Sequence, residues 1–261
     1  MAQVGEMIHK SPHFFGLACS RWCLEAVRQS VSGLREYTLV GVWKLLRRGG
    51  LRYKRGRVHV HSPDPDYDTK LAYIAAARAQ VERQPERMAL LYLDELTYYR
   101  RPSLAQAYAP VGAHAALVET GHRSNSHRRI AAALDVQTGS LFAWQRSAFH
   151  ADTFLRFLQA LAATYAHAER VFVVLDNWPL HFVPSISLAL QSTNLMLLRL
   201  PTYAPWTNPV EKVWLRLKRE LLHHHPFGDD WLALQAAVQA WLDRWAAPSP
   251  DLLRSVGLSP Y

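Results

Sequence analysis

A chain of 261 residues with 49% hydrophobic and 20% charged residues is a folded protein rather than a disordered one, and is long enough for one large core plus a smaller module. Its 30 Lys and Arg against 21 Asp and Glu, a net charge of +9, favour a polyanionic partner, with nucleic acid first among them. No run approaches the roughly 20 apolar residues of a bilayer span, residues 1–10 lack the apolar stretch of a signal peptide, and two cysteines, Cys19 and Cys23, make no disulfide framework; a cytoplasmic protein with no membrane partner is expected.

In chain order, residues 20–57 read as helical and basic. Trp22, Ala26 and Val27, then Leu39, Val42, Trp43, Leu45 and Leu46, fall near helical spacing, with Ser32-Gly33 breaking the first helix and Gly49-Gly50 ending the second. Cys19 and Cys23, four apart, are expected as small core residues, since two thiolates do not make a zinc site. The polar, proline-punctuated stretch 62–66 is the best domain boundary, and an Ala-rich helix over 67–83 leads out of it. The expected domains are 1–61, 62–88 as linker and connecting helix, and 89–261.

The remainder predicts mixed α/β structure. Residues 89–93 form an apolar run entering Asp94, 129–136 and 141–144 flank a hairpin turn at 137–140, and 152–165 is an amphipathic helix. A buried strand over 171–175 stops at Asp176; a helix follows Pro184, then a strand over 195–198, a helix from about Pro209, and another over 231–245. Strand, strand, strand, helix, strand, helix, strand, helix suits a mixed sheet covered by helices on both faces. His223-His224-His225 is expected as an exposed helix end.

Three acids stand out. Asp94 interrupts Leu90-Leu91-Tyr92-Leu93, where an ionised carboxylate costs several kcal/mol unless compensated, and its neighbour Glu95 must point to the opposite face. Asp176 terminates an apolar strand, where functional groups of such sheets gather, although Asp176-Asn177 also reads as an ordinary turn. Glu211 follows Asn208-Pro209-Val210, a helix-start signature in which a capping-box glutamate is the bland alternative. In company they mean more. The 34 residues between Asp176 and Glu211 accommodate a helix, a strand and a loop, so the three carboxylates can meet at one sheet edge as hard oxygen ligands for Mg²⁺ or Mn²⁺. Two such ions about 3.5–4 Å apart suit phosphodiester chemistry. Glu95, Asp135 and Asp152 are the rival acids; capping explains the last two, and Glu95 remains the alternative if the strand register is reversed.

The motifs Leu93-Asp94-Glu95, Leu175-Asp176-Asn177-Trp178-Pro179-Leu180-His181 and Pro201-Thr202-Tyr203-Ala204-Pro205-Trp206-Thr207-Asn208-Pro209-Val210-Glu211 resemble the three catalytic motifs of mariner-like bacterial insertion-sequence transposases. The resemblance covers roughly residues 20–245, and the third motif is the most specific; Trp206-Thr207 replaces its more usual acidic or polar pair. It implies an RNase H-like mixed sheet flanked by helices, with Asp94, Asp176 and Glu211 as catalytic metal ligands and Asn177, His181, Tyr203 and Asn208 in supporting roles. It further implies Mg²⁺ or Mn²⁺, two ions to a site, cleavage of transposon ends and strand transfer into target DNA at a TA dinucleotide, and a homodimer on double-stranded DNA in the nucleoid. The expected reaction is two phosphoryl transfers without a covalent protein intermediate. An RNase H-like nuclease without strand transfer, or a catalytically inactive DNA-binding descendant, are the alternatives.

Relatives usually carry two helix-turn-helix modules before the catalytic domain. Residues 1–61 have the length of one and resemble the second, so the expectation is a truncated copy, a downstream reading frame normally fused by frameshifting, or a catalytic half assisted by a second polypeptide that supplies the first module. Within 47–57 lie Arg47, Arg48, Arg52, Lys54, Arg55 and Arg57, a basic run after a helix pair that is read as phosphate-binding. His122-Arg123 and His127-Arg128-Arg129 form a second basic cluster between the first two strands, read either as a contact to substrate or target DNA or as an exposed loop.

Overall fold

The chain folds into two units, residues 1–60 and 61–261. The computed structural model describes residues 2–54, 61–112 and 117–258. Arg55 and Arg57 of the expected DNA-binding set lie outside the described residues.

In the first unit three helices, α1 (Ala2–Ile8), α2 (Leu24–Ser30) and α3 (Leu39–Arg48), bury Val4, Met7, Val27, Leu34 and Val42 together. Thr38 starts α3: its hydroxyl accepts from the amide of Gly41 at 3.1 Å, satisfying one of the donors a helix start leaves open. Cys23 departs from expectation. It is exposed rather than packed, and its Sγ accepts from the amide of Ala26 at 3.4 Å, so the residue serves as the N-cap of α2. Four-residue spacing predicts a shared helix face only if both residues are inside the helix, and Cys23 stands just before it.

The second unit is built on five strands: β1 (Met88–Tyr99), β2 (His127–Asp135), β3 (Leu141–Arg146), β4 (Arg170–Leu175) and β5 (Leu195–Arg199). Their order in the sheet is β3-β2-β1-β4-β5, with β1 antiparallel to β2, β2 antiparallel to β3, and β4 parallel to both β1 and β5. This is the mixed sheet the sequence predicts. The β2–β3 turn requires Gly139: its φ is +72°, and a Cβ there would stand 2.3 Å from the carbonyl oxygen of Ser249.

Two differences from the expected strands matter. β1 does not end at Asp94 but continues to Tyr99, because Glu95 through Tyr99 find partners in Ala131 back to His127. For the same reason β2 begins at His127, two residues before the expected start at Arg129.

Strand alternation sorts the core. Ala89, Leu91 and Leu93 face one side with Val171, Val173 and Leu175, covered by α5 (Ala151–Thr164) through Phe154, Phe157, Leu158 and Leu161, and by α6 (Pro184–Leu190). The opposite face is covered toward β2 and β3 by α7 (Val210–Leu217), α8 (Trp231–Asp243) and α9 (Pro250–Val256), with Trp214, Trp241 and Trp245 buried among Ile130, Ala132 and Leu134. On the same face, toward β4, α4 (Tyr67–Arg83) packs Ile74, Ala77 and Val81 on Leu90, Phe172 and Val174. Helices thus close both faces of the sheet. No helix among the described residues is long and apolar enough to cross a membrane.

The histidine run at 223–225 is also corrected. A short π-helical stretch, Lys218–Leu222, prolongs α7, after which His225 is buried, His223 Nδ1 lies 2.8 Å from the hydroxyl of Ser103, and His224 Nε2 accepts from the amide of Ala105 at 2.8 Å. The run fastens the segment after β1 rather than fraying into solvent.

Candidate active site

β1 and β4 run parallel, and their pairing ends with Tyr92 level with Val174; Asp94 lies two residues further along β1, and Asp176 follows the last residue of β4. Asp94 continues the face of Leu90 and Tyr92, which α7 covers. There its Oδ2 accepts from the indole Nε1 of Trp214 at 2.9 Å. Burial is the main reason its carboxyl is pushed up to about 7, and the negative charge of Glu211 adds to the shift; the Trp214 hydrogen bond works in the other direction. A buried acid facing a second acid is a place where positive charge is missing.

Glu211 sits on the first turn of α7 and is exposed. The capping-box alternative requires it to accept from the amide of Asn208. That amide donates instead to the carbonyl of Pro205 at 3.0 Å, so the cap is made without Glu211. Asn208 takes over: its Oδ1 accepts from the amide of Val210 at 3.1 Å, and its Nδ2 donates to the carbonyl of Leu93 at 3.2 Å. One buried side chain therefore starts α7 and ties it to the strand residue preceding Asp94.

Asp176 lies just past β4, with about half its side chain exposed. Burial opposes its ionisation, but the nearby His181 ring and the amide of Trp178, which donates to Oδ1 at 3.0 Å, outweigh it and hold the carboxyl below its ordinary range. Asn177 donates to the carbonyl of Leu200 at 2.6 Å and lies 3.2 Å from the hydroxyl of Thr202, joining the end of β4 to the start of the third motif. Tyr203, in that motif, is exposed and held at φ +54°, a left-handed conformation unusual for a residue with a Cβ.

His181, which the sequence placed only in a supporting role, is fully buried in a short 3₁₀ turn, Pro179–Phe182, stacked on Phe154 with ring centres 4.5 Å apart. Its Nε2 is 2.9 Å from Oε1 of Glu95 and its Nδ1 is 3.1 Å from Oδ1 of Asp176. Burial disfavours a charged ring, yet the two carboxylates overcome it and push His181 up to about 9. Sequence alone offered no sign of this pairing beyond Glu95 lying on the face of β1 opposite Asp94.

The arrangement brings Asp94 into the field of Glu211 and places Asp176 just past the end of the neighbouring strand β4. Among the described residues no three His, Cys, Asp or Glu side chains converge as a ready-made metal cluster. The donor set is nonetheless that of a hard divalent cation: carboxylate oxygens, with the Asp94 carboxyl pushed up to about 7 chiefly by burial and further by Glu211. Asp135 and Asp152 are elsewhere. Asp135 accepts from the amides of Gln137 and Thr138 in the β2–β3 turn, and Asp152 lies in the first turn of α5. From the second basic cluster, the Arg129 guanidinium stands 6.0 Å from the Trp178 ring centre, beside the second motif.

This fold and these motifs are shared. The family model described as DDE superfamily endonuclease matches residues 89–231, more than half of the chain. The chain belongs to the DDE superfamily endonuclease family. It is 24% identical over 233 residues to the insertion element IS630 uncharacterized 39 kDa protein of Shigella sonnei, covering 88% of this chain; it spans 66% of that relative's length, just under two thirds. In fold it is similar to the Mos1 transposase of a strand transfer complex (TM-score 0.64, 17% identity, 98% of this chain and 73% of that one). It is likewise similar to the mariner Mos1 paired-end complex with Mg (TM-score 0.63, 17% identity, 98% and 74%). The RNase H-like mixed sheet that the sequence motifs imply is the observed one.

Proposed function

We propose that this chain is a DNA transposase that cleaves transposon ends and transfers the released strands into target DNA. The observation that carries the reading is Asp94: a strand-embedded carboxylate, pushed up to about 7 by burial and by Glu211, on the strand that pairs in parallel with β4, which Asp176 follows. A protein does not keep such an acid for stability, because uncompensated burial of charge is costly.

Asp94, Asp176 and Glu211 are the residues that would hold Mg²⁺ or Mn²⁺, two ions in the fullest form of the proposal. When bound, such cations supply charge neutralisation at a phosphodiester and activation of an oxygen nucleophile. The chain's own side chains do the rest. Trp214 fixes the Asp94 carboxylate, Asn208 fixes the start of α7 and with it Glu211, and Asn177 fixes the approach of the third motif to β4. Residues 89–261 are the catalytic domain in this reading, 62–88 the linker and connecting helix, and 1–61 a helix-turn-helix-like module that grips DNA through Arg47, Arg48, Arg52 and Lys54, together with Arg55 and Arg57.

The partners follow from the same reading: double-stranded DNA at the transposon ends and target, a second copy of the chain across the paired ends, and a second polypeptide completing end recognition. The working location is the nucleoid. Of the two Mos1 structures, one is a paired-end complex with Mg and the other a strand transfer complex.

The test is strand cleavage of a labelled transposon-end duplex with Mn²⁺. Asp94→Asn, Asp176→Asn and Glu211→Gln should each lose cleavage while binding the duplex as the wild type does. Cleavage by all three variants at wild-type rates would remove the assignment, and a wild type that binds but never cuts, even on pre-nicked ends, would make the chain an inactive descendant.

A further inference from the structure

β1 presents two consecutive acids to opposite faces of the sheet. Asp94 faces α7, whereas Glu95 faces the α5 side, where its Oε1 meets Nε2 of His181 at 2.9 Å. Glu95 is 14% exposed and His181 1%, so this contact is shielded from water and worth more than a surface pair. Across the same ring, Nδ1 lies 3.1 Å from Oδ1 of Asp176; the distance is short but the angle is not that of a good hydrogen bond, and Nδ1 is a buried nitrogen without a well-directed partner. Phe154, stacked 4.5 Å away, and Trp178, edge-on at 5.4 Å, leave the imidazole no alternative plane.

Asp176 is held on one oxygen. The Trp178 amide and His181 Nδ1 both approach Oδ1, so Oδ2 is the atom left for a cation. Asp176 otherwise lies outside the sheet with half its side chain in solvent, anchored by the Trp178 amide.

We propose that Glu95 and His181 are positioning residues of the cation site: Glu95 fixes the His181 ring from behind the sheet, and the ring, 3.1 Å from Oδ1, limits where the Asp176 carboxylate can stand. The proposal rests on the reading of Asp176 as a cation ligand. Under it, Glu95 touches neither cation nor DNA, and a single strand sets two ligands at once, Asp94 directly and Asp176 through the ring. Side chains that orient a metal ligand typically contribute about 10–100-fold in metal affinity.

Mn²⁺ titrated calorimetrically into the full chain tests this, alongside thermal melting of each variant. Glu95→Ala should weaken Mn²⁺ binding by about tenfold or more, and Glu95→Gln, which still accepts from Nε2, should restore most of it. The imidazole ¹⁵N resonances of His181 should move when diamagnetic Mg²⁺ is added to the wild type, and stay still in Asp176→Asn. A ring that only fills the core would not report the cation. Wild-type affinity in Glu95→Ala, with Asp94→Asn and Asp176→Asn impaired, overturns the positioning role while leaving the cation site intact. Loss in Glu95→Gln as complete as in Asp94→Asn overturns it too, by making Glu95 a ligand. If Asp94→Asn and Asp176→Asn bind Mn²⁺ as the wild type does, the cation site itself falls and the proposal with it.

Discussion

Asp64 accepts from the backbone amide of Thr202 at 2.6 Å, 138 positions further along the chain, and so fastens the residues before α4 to the third motif. The same carboxylate takes an ion pair from Lys70 at 2.6 Å and the amide of Asp66 at 2.9 Å, while Ser62 Oγ donates to the Thr202 carbonyl at 2.5 Å. The Lys70 ammonium first, and then the Thr202 amide, hold the Asp64 carboxyl far below its ordinary range. The clamp lies immediately before Tyr203, whose left-handed backbone persists only where surrounding contacts enforce it.

Asp64→Ala should therefore lower the melting temperature and open the loop at 201–207 to limited proteolysis. A depressed folded pKa means that the stabilisation from Asp64 is present above the unfolded aspartate value, about 3.9, and is lost as pH falls below it. The difference in melting temperature between wild type and variant should accordingly be full at pH 6 and shrink toward pH 3. A constant difference across that window would show that packing, not the carboxylate, holds the loop.

Asp94 gives the opposite sign. Its folded pKa, about 7, is raised, so in the metal-free protein the ionised group opposes folding above pH 7 and the penalty vanishes as pH falls toward the unfolded value. Asp94→Asn keeps an acceptor for Trp214 but removes the charge. The variant should melt higher than the metal-free wild type at pH 8, at about 2–4 °C for each kcal/mol gained, with the advantage disappearing near pH 4. Added Mn²⁺ should stabilise only the wild type. A variant less stable than wild type at pH 8 without metal would contradict the electrostatic account of the site.

The same carboxyl sets the pH dependence of cation binding. Below about pH 7 a proton occupies Asp94 and must leave before a cation binds, so Mn²⁺ affinity should fall by up to about tenfold for each pH unit between 7 and 5.5. Between pH 7.5 and 9 it should be nearly flat. Calorimetry in buffers of different ionisation enthalpy counts the proton released; none released at pH 6.5 would mean that Asp94 is not a ligand.

The strands that carry Asp94 and precede Asp176 are legible in the sequence, for a simple reason. Strand alternation has a period of two, so Asp94 and Glu95 had to part company, and the apolar run before each of Asp94 and Asp176 located both strands. What short-range pattern does not carry is pairing across the sheet. The extension of β1 to Tyr99 depends on β2 lying beside it, the His181 contact joins residues 86 positions apart, and the capping reading of Glu211 was settled only by where the Asn208 amide points. Cys23 and His225 were misjudged for the same cause: a cap and a buried loop anchor look in sequence like a core thiol and a frayed end.

The first unit offers the last prediction. On α3, Val42 is buried, while Val40, Trp43, Lys44, Arg47 and Arg48 are exposed, and the Arg47 guanidinium lies 5.3 Å from the Trp43 ring centre. A helix that buries one apolar stripe and turns arginines and an aromatic outward suits a nucleic-acid groove: the arginines neutralise phosphates, and the tryptophan stiffens one of them. Arg48→Ala should weaken duplex binding uniformly across sequences and reduce the slope of log K against log salt concentration by about 1. Trp43→Ala should change that slope little, since it removes no charge, yet lower affinity by freeing Arg47. Measuring binding from about 50 to 200 mM salt separates the two. Equal slopes for wild type and Arg48→Ala would mean that the α3 cations face water rather than DNA, and the basic run after it would then be the better place to look for phosphate contacts.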